Sequence, residues 1–271
     1  MLKVYVTKKD SIAYVVLNRP EELNSLDYGS LKELNEIVLN LSTDLAIKAV
    51  VFSGSGMKAF CAGADLKERK TLSEQETRRN VCLIRDVFNR IEDLPQPTVA
   101  MINGYALGGG LELALVCDFR FAVSEAQLGL TEINWAIIPG AGGTQRLPKL
   151  IGISKARHLI YSGKKINAIE AKNIGLIDEN FDDQDTLEAY TLKFLEPILL
   201  KSSIALQQAK YAINKGNATD LRTGIAIESK AYELTIGTGD RKEALLAFQE
   251  KRDPVFRGSC QWLCFQEIIN K

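Results

Sequence analysis

The sequence predicts an α/β protein with a mostly parallel sheet and a helical segment at its carboxyl end. Short β-branched runs alternate with helical patterns up to about residue 195, and only helical patterns follow. Strands that alternate with helices favour a parallel sheet with loops at its carboxyl edge. The length of 271 residues fits one main domain with a smaller appended part. We therefore expect a core over residues 1–195 and a helical segment over residues 196–271.

Each strand and helix is predicted from the spacing of its apolar residues. Short runs rich in Val, Ile and Phe predict strands, and these runs cover residues 4–7, 12–17, 49–52, 98–102 and 119–122. Apolar residues at helical spacing predict helices, and these patterns cover residues 31–41, 77–94, 202–213, 223–234 and 240–251.

Composition and charge narrow the class of protein. The 34 cationic and 34 anionic side chains cancel, so there is no electrostatic reason to expect nucleic acid or a membrane surface as a partner. No apolar run approaches the roughly 18 residues that span a bilayer, and the first residues do not resemble a secretory signal. Five scattered cysteines without a Cys-x-x-Cys pair predict reduced thiols and no zinc site. We expect a cytoplasmic protein, or a mitochondrial matrix protein if it is a processed eukaryotic form.

Two common enzyme mechanisms find little support in the sequence. His158 is the only histidine and falls on a predicted helix surface, so catalytic triads and multi-histidine metal sites are disfavoured. Residues 54–59 match the G-x-G-x-x-A dinucleotide pattern, but a charged segment follows where that motif needs an apolar helix.

Two glutamates are isolated in apolar, glycine-rich segments. Glu112 is the only formally charged residue in 94–117, and Glu132 is the only one in 126–145. Burying an unpaired carboxylate costs free energy, so such a residue either has a partner or is protonated part of the time. The pattern predicts paired general acid and base catalysis. The alternative is that each acid caps a helix or meets an arginine such as Arg120 or Arg146.

The triplet Gly108, Gly109 and Gly110 lies between a predicted strand and an apolar helix. Glycine lets a ligand come close to the backbone, and a helix N-terminus presents unpaired N–H groups. Glu112 follows within one turn and its side chain leans toward the same end of the helix. The triplet predicts an oxyanion site, and the alternative is a tight crossing of strand and helix.

Three longer motifs are FCAGADLKER at 60–69, GYALGGGLELALVCD at 104–118 and IIPGAGGTQRLP at 137–148. Together they closely resemble the signatures of the crotonase, or enoyl-CoA hydratase/isomerase, superfamily. The resemblance extends from residue 17 to residue 256 and is finest to the methylglutaconyl-CoA hydratase branch, whose animal member is also known as an AU-rich-RNA-binding protein. It implies a ClpP-like spiral of ββα units, with a helical segment that serves trimerisation and covers the coenzyme A site.

Carried over position by position, the resemblance implies that the backbone amides of Ala64 and Gly109 form the oxyanion hole. It also implies that Glu112 and Glu132 are the catalytic acids. The coenzyme A contacts that it implies are Leu23, Ala62, Asp65, Leu66, Lys67, Phe248 and Lys251. Phe248 and Lys251 are expected to act across a subunit boundary, because crotonases are typically trimers or paired trimers. No metal or redox cofactor is implied, and coenzyme A arrives with the substrate.

The implied reaction is syn addition of water to an enoyl-CoA thioester, on 3-methylglutaconyl-CoA or a short-chain enoyl-CoA. Asn134 and Trp135 are expected to narrow the acyl pocket. Alternatives are double-bond isomerisation, another crotonase chemistry, or an inactive scaffold. RNA binding is disfavoured. In the animal relative this role is associated with a lysine-rich early helix, whereas residues 27–41 here contain one lysine and three acidic residues.

Overall fold

The computed structural model describes residues 2–258, so Cys260, Cys264 and the end of the predicted helical segment lie outside the described residues. The chain divides into two compact units. The first contains residues 2–94 and 98–193, and the second contains residues 95–97 and 194–258. Both sheets lie in the first unit, and the second unit is helical.

Two sheets form the frame of the first unit. The strands are β1 (Val4–Lys9), β2 (Ile12–Leu17), β3 (Ala49–Gly54), β4 (Ala59–Cys61), β5 (Thr98–Ile102), β6 (Tyr105–Leu107), β7 (Phe119–Val123), β8 (Gln127–Gly129), β9 (Ile166–Asn167) and β10 (Glu179–Phe181). The larger sheet has the order β1-β2-β3-β5-β7-β10 and the smaller one β4-β6-β8-β9. Among these described strands, only the pairs β1–β2 and β8–β9 are antiparallel. The predicted α/β class with a mostly parallel sheet is therefore confirmed.

Eight helices begin in the first unit, within the residues described. They are α1 (Tyr28–Thr43), α2 (Leu66–Arg69), α3 (Glu74–Glu92), α4 (Gly109–Leu115), α5 (Gly143–Ile151), α6 (Ile153–Ser162), α7 (Ala168–Asn173) and α8 (Gln184–Leu199). Their starts follow local sequence chemistry. The Asp27 carboxylate accepts the N–H of Ser30 at α1, and Ser73 and Glu76 form a capping box at α3.

The smaller sheet decides where functional groups gather. Its strands β4, β6 and β8 are parallel neighbours, so their carboxyl ends meet at one edge. Ala64 follows β4, Gly109 follows β6 and Glu132 follows β8. Three segments that are far apart in sequence are thereby brought together.

The second unit is built from α9 (Ser203–Gly216), α10 (Leu221–Ile236) and α11 (Gly239–Glu250). Lys210 donates to the carbonyl oxygen of Gln96 at 3.0 Å, which ties residues 95–97 to α9. The buried Asp240 carboxylate accepts the N–H of Arg257 at 2.9 Å, which holds the chain that follows α11.

The five predicted strands and the helix starting at Gly109 are present, and β3 leads into a strand rather than a nucleotide-binding helix. His158 is exposed on α6, as predicted. The sequence does not predict β4, β6, β8, β9 and β10, because strands of two or three residues show no periodicity. No helix within residues 2–258 combines the length and the apolar character needed to cross a bilayer.

Candidate active site

A cavity of about 710 Å³ opens in the first unit at the carboxyl edge of the smaller sheet. All four residues predicted as catalytic line it: Ala64, Gly109, Glu112 and Glu132. The volume is in the range of small-molecule sites. The structure therefore brings the predicted catalytic residues together around one space.

Glu112 lies in the first turn of α4 and is only 3% exposed. The backbone N–H groups of Ala141 and Gly143 each donate to its Oε1 at 2.8 Å. Burial raises the pKa of Glu112, and these two donors oppose the rise. A carboxylate at this position is thus supported by the main chain, which leaves Oε2 available to a ligand.

Glu132 opens a short 3-10 helix, Glu132–Trp135. Its Oε2 is buried and accepts no hydrogen bond within the described chain. Burial, together with the negative charge of Glu112, raises the pKa of Glu132 to about 7. Glu132 can therefore hold and release a proton at neutral pH, while Glu112 is the better stabilised anion.

Neither arginine considered as an alternative partner meets these acids. Arg120 donates to the carbonyl oxygens of Leu176 and Cys117 at 3.0 and 2.7 Å. Arg146 forms a two-pronged pair with Glu92, at 2.8 and 2.6 Å. Among residues 2–258, neither Glu112 nor Glu132 forms an ion pair. The alternative that each glutamate serves only to pair with an arginine is therefore not supported.

The backbone nitrogen atoms of Ala64 and Gly109 lie close together at the wall of the cavity. A Cβ placed on Gly109 would lie 3.7 Å from the Ala64 nitrogen, and one on Gly63 would lie 3.0 Å from the Gly109 nitrogen. Neither the Ala64 nor the Gly109 N–H has a hydrogen-bond acceptor within residues 2–258. Such a pair of donors at a helix N-terminus can bind one oxygen that gains negative charge.

The glycine triplet forms the tight crossing of strand and helix that was the alternative to an oxyanion site, and the oxyanion site stays a prediction. Gly108 has φ +52°, and a Cβ there would stand 3.2 Å from Glu132 Oε1. A Cβ on Gly110 would lie 1.9 Å from the carbonyl oxygen of Cys61, so α4 packs directly on β4. The tight crossing of strand and helix is what places the Gly109 N–H beside Ala64.

The sequence model of the enoyl-CoA hydratase/isomerase family matches residues 7–259. The chain belongs to this family. YngF of Bacillus subtilis, named only for the family, is 49% identical over 255 residues, which cover 94% of this chain and 98% of that protein. Human mitochondrial methylglutaconyl-CoA hydratase is 45% identical over 262 residues, or 95% of this chain and 77% of that protein. The crystal structure of an enoyl-CoA hydratase from Bacillus anthracis superposes with a TM-score of 0.92 at 46% identity, covering 95% of this chain and 100% of that one. The predicted crotonase fold is confirmed.

Some of the residues that this family resemblance assigns to coenzyme A lie beside the cavity. Ala62 and Leu66 line it, and the Leu23 carbonyl accepts the Ala62 N–H at 3.0 Å. The Lys67 side chain is 85% exposed, and its ammonium group lies 3.8 Å from the Glu22 carboxylate. Asp65 differs, because its carboxylate is buried and pairs with an arginine while capping α2. These coenzyme A contacts remain predictions.

The last two assigned residues belong to the second unit. Phe248 lies on α11 and is 83% exposed, and Lys251 ends that helix with φ +53°. An aromatic side chain this exposed is available to a ligand or to another subunit. Their contact with coenzyme A also remains a prediction.

Several lining residues of this family member were not predicted from the sequence. The Ala141 and Gly143 amides support Glu112, and the glycine-rich run around them was the only signal. The cavity is also lined by Val81 and Ile84 of α3, which in the sequence look like ordinary core positions of a helical pattern. Of the two residues expected to narrow the pocket, Trp135 lines it, while the Asn134 amide donates to the Gly163 carbonyl.

Proposed function

We propose that this protein is an enoyl-CoA hydratase that adds water syn across the 2,3 double bond of an enoyl-CoA thioester. The observation that carries the proposal is the contrast between two glutamates on one cavity, of which Glu112 is buried and Glu132 is half-buried. Glu112 receives two backbone N–H groups, whereas Glu132 has an unpartnered oxygen and a pKa of about 7. Such a pair supplies one base and one acid at the same pH.

The thioester carbonyl would be held by the N–H groups of Ala64 and Gly109. Addition of water to the β-carbon moves electron density onto the thioester oxygen, and the resulting enolate needs donors that are already in place. Each such donor contributes roughly 3 kcal/mol to transition-state stabilisation in other enzymes. Both amides lack a competing acceptor in the described chain, so no internal bond has to break first.

Each of the two acids would carry out one of the two proton transfers in the addition. The Glu112 carboxylate orients the water and accepts a proton as the oxygen bonds to the β-carbon. Protonated Glu132 delivers its proton to the α-carbon, which completes the addition. Proton transfer between the acids and solvent then restores the starting state, and the scheme needs no metal or redox cofactor.

Substrate handling and assembly follow the family expectation. We place coenzyme A along Leu23, Ala62, Leu66 and Lys67, with Phe248 and Lys251 contributed from another subunit of a trimer or paired trimers. The apolar side chains left exposed on α10 and α11 support such an assembly, and they include Leu221, Ile225, Tyr232, Leu245 and Phe248. The proposed compartment is the cytoplasm, or the mitochondrial matrix for a processed eukaryotic form.

The test is steady-state kinetics on crotonyl-CoA and 3-methylglutaconyl-CoA, followed by the loss of ultraviolet absorbance of the conjugated thioester. Glu112→Gln and Glu132→Gln should each lower kcat by about 10²- to 10⁴-fold, because each removes one proton-transfer group. Glu74→Gln is the control, since Glu74 is exposed and pairs with Arg78. Turnover of 3-enoyl-CoA to 2-enoyl-CoA without hydration would contradict the proposal in favour of isomerisation.

A further inference from the structure

Arg146 is a half-buried cation next to a loop that lines the cavity, and the proposed hydration gives it no role. It lies in the first turn of α5, and its side chain is 16% exposed. Among residues 2–258, its guanidinium makes four hydrogen bonds: two to the Glu92 carboxylate, one to the Asn89 side chain and one to the Ala141 carbonyl oxygen. An arginine with most of its five donors engaged is held in one orientation.

Ala141 connects this arginine to the catalytic site. Its carbonyl oxygen accepts Nη1 of Arg146 at 2.9 Å, and its own N–H donates to Glu112 Oε1 at 2.8 Å. Gly143, the first residue of α5, supplies the second N–H to Glu112 at 2.8 Å. The guanidinium and the Glu112 carboxylate are thus linked through a single main-chain residue.

Gly142 separates the two donors and shows how closely the guanidinium fits the turn. Its φ is +101°, and a Cβ there would lie 2.0 Å from Arg146 Nη1. The guanidinium therefore packs against the Gly142 α-carbon, where glycine provides both the backbone angle and the space. The turn over residues 141–143 contacts both the Glu112 carboxylate and the Arg146 guanidinium.

The end of α3 holds the Arg146 side chain. Glu92 is the last residue of that helix, and its two carboxylate oxygens accept Arg146 Nε and Nη2 at 2.8 and 2.6 Å. A two-pronged pair of this kind fixes direction as well as distance. Asn89, about one turn earlier, accepts Nη2 at 2.9 Å. The helix end therefore fixes Arg146, and Arg146 fixes the turn that supports Glu112.

The charged groups around Glu112 leave the main-chain donors as the strongest support of its anion. Burial raises the pKa of Glu112, and the two main-chain N–H groups lower it more than the charges of Arg146 and Arg69 do. On the short 3-10 helix, Glu132 is the other acid of the cavity. On β4, burial raises the pKa of the Cys61 thiol to about 12, so it is neutral. Misaligned donors would therefore shift Glu112 toward its protonated form.

We propose that Arg146 is a positioning residue for the hydration, which holds the Ala141 carbonyl and thereby keeps two N–H groups aligned on the Glu112 carboxylate. This inference rests on the proposed hydratase function and adds a residue that acts on the base through the main chain. Arg146→Met should lower kcat on crotonyl-CoA by about 10- to 100-fold, because a misplacement of about 1 Å is enough for such a loss. KM should change by less than about threefold, because the thioester donors are not touched. The acid limb of the kcat pH profile should move to higher pH, because Glu112 must be an anion to act as the base.

Arg146→Lys separates position from charge. It keeps the cation and loses the planar fork, so it should retain most of the defect. Glu92→Gln should move the acid limb in the same direction by less, and it keeps the inference testable if Arg146→Met does not fold. Arg78→Met is the control and should leave kcat and the profile unchanged, because Arg78 is exposed and pairs with Glu74. Full recovery in Arg146→Lys would overturn the inference, and so would a loss of kcat with an unmoved acid limb, which is the result expected of a merely structural residue.

A pH titration by infrared spectroscopy tests the inference without turnover. The carboxyl band that Glu112→Gln removes reports the protonation of Glu112, and its midpoint should lie at higher pH in Arg146→Met and Arg146→Lys than in the wild type. An equal midpoint in all three proteins would overturn the inference. A shifted midpoint in a chain that hydrates no enoyl-CoA would support the action of Arg146 on Glu112 and would contradict the hydratase proposal alone.

Discussion

Glu132→Gln is expected to make the protein more stable at alkaline pH while it removes activity. Burial of its carboxylate, together with the negative charge of Glu112, raises the pKa of Glu132 from 4.5 to about 7. The folded state favours the protonated form of Glu132. Its favourable contribution to the free energy of unfolding is therefore fully present below pH 4.5 and is lost as the pH rises through 7. Above pH 7 the folded chain holds a buried charge with an unpartnered oxygen.

The size of the effect follows from the pKa shift. A shift from 4.5 to about 7 corresponds to about 3 kcal/mol in the free energy of unfolding, and about 2 kcal/mol of it falls between pH 5 and pH 8. Glutamine does not titrate, so the variant avoids this loss. The difference in stability between Glu132→Gln and wild type should therefore grow by about 2 kcal/mol over that interval.

The assay is urea unfolding at pH 5 and pH 8, at one protein concentration because assembly contributes to apparent stability. Glu74→Gln is the control, since its side chain is 85% exposed, and it should shift stability by less than about 0.5 kcal/mol at both pH values. The reasoning is refuted if the stability difference between Glu132→Gln and wild type is the same at pH 5 and pH 8, or if the variant is the less stable protein at pH 8.

Three further predictions follow from the same geometry. The kcat/KM for hydration should fall as the pH rises through about 7, because Glu132 must be protonated to act as the acid; a pH profile that rises through this range would contradict its role. Glu112→Ala should cost about 2 to 6 kcal/mol in urea unfolding by leaving two buried N–H donors unpaired, whereas Glu112→Gln keeps an acceptor oxygen and should cost less; equal losses would show that the donors find other acceptors. Gly110→Ala should prevent folding or cost more than about 3 kcal/mol by circular dichroism melts, since its Cβ would lie 1.9 Å from the Cys61 carbonyl oxygen; a native melting curve would contradict this packing.

Charge isolation is the part of the site that the sequence predicts well. A carboxylate alone in a long apolar run must be buried, and Glu112 is. The same argument identified Glu132. It left open whether an arginine pairs with either acid, and in the structure Arg120 and Arg146 bind other groups. Whether a buried acid is paired depends on contacts between distant segments, so the sequence alone could not decide between the two interpretations.

The main-chain support of the site was harder to foresee. The N–H groups of Ala141 and Gly143 act through backbone geometry, which has no side-chain signature. The strands β4, β6 and β8 are too short to show alternation, yet their shared edge brings the site together.

Most side-chain substitutions leave the main-chain N–H group in place. The proposed oxyanion donors should therefore tolerate mutation, whereas the side chains that line the cavity can be changed to alter its shape. The Ala64 and Gly109 donors persist under nearly any replacement except proline. The acyl wall, in contrast, is made of side chains such as Val81, Ile84 and Trp135. A directed library at those wall positions could retune which acyl groups enter while the thioester oxygen is held in the same place.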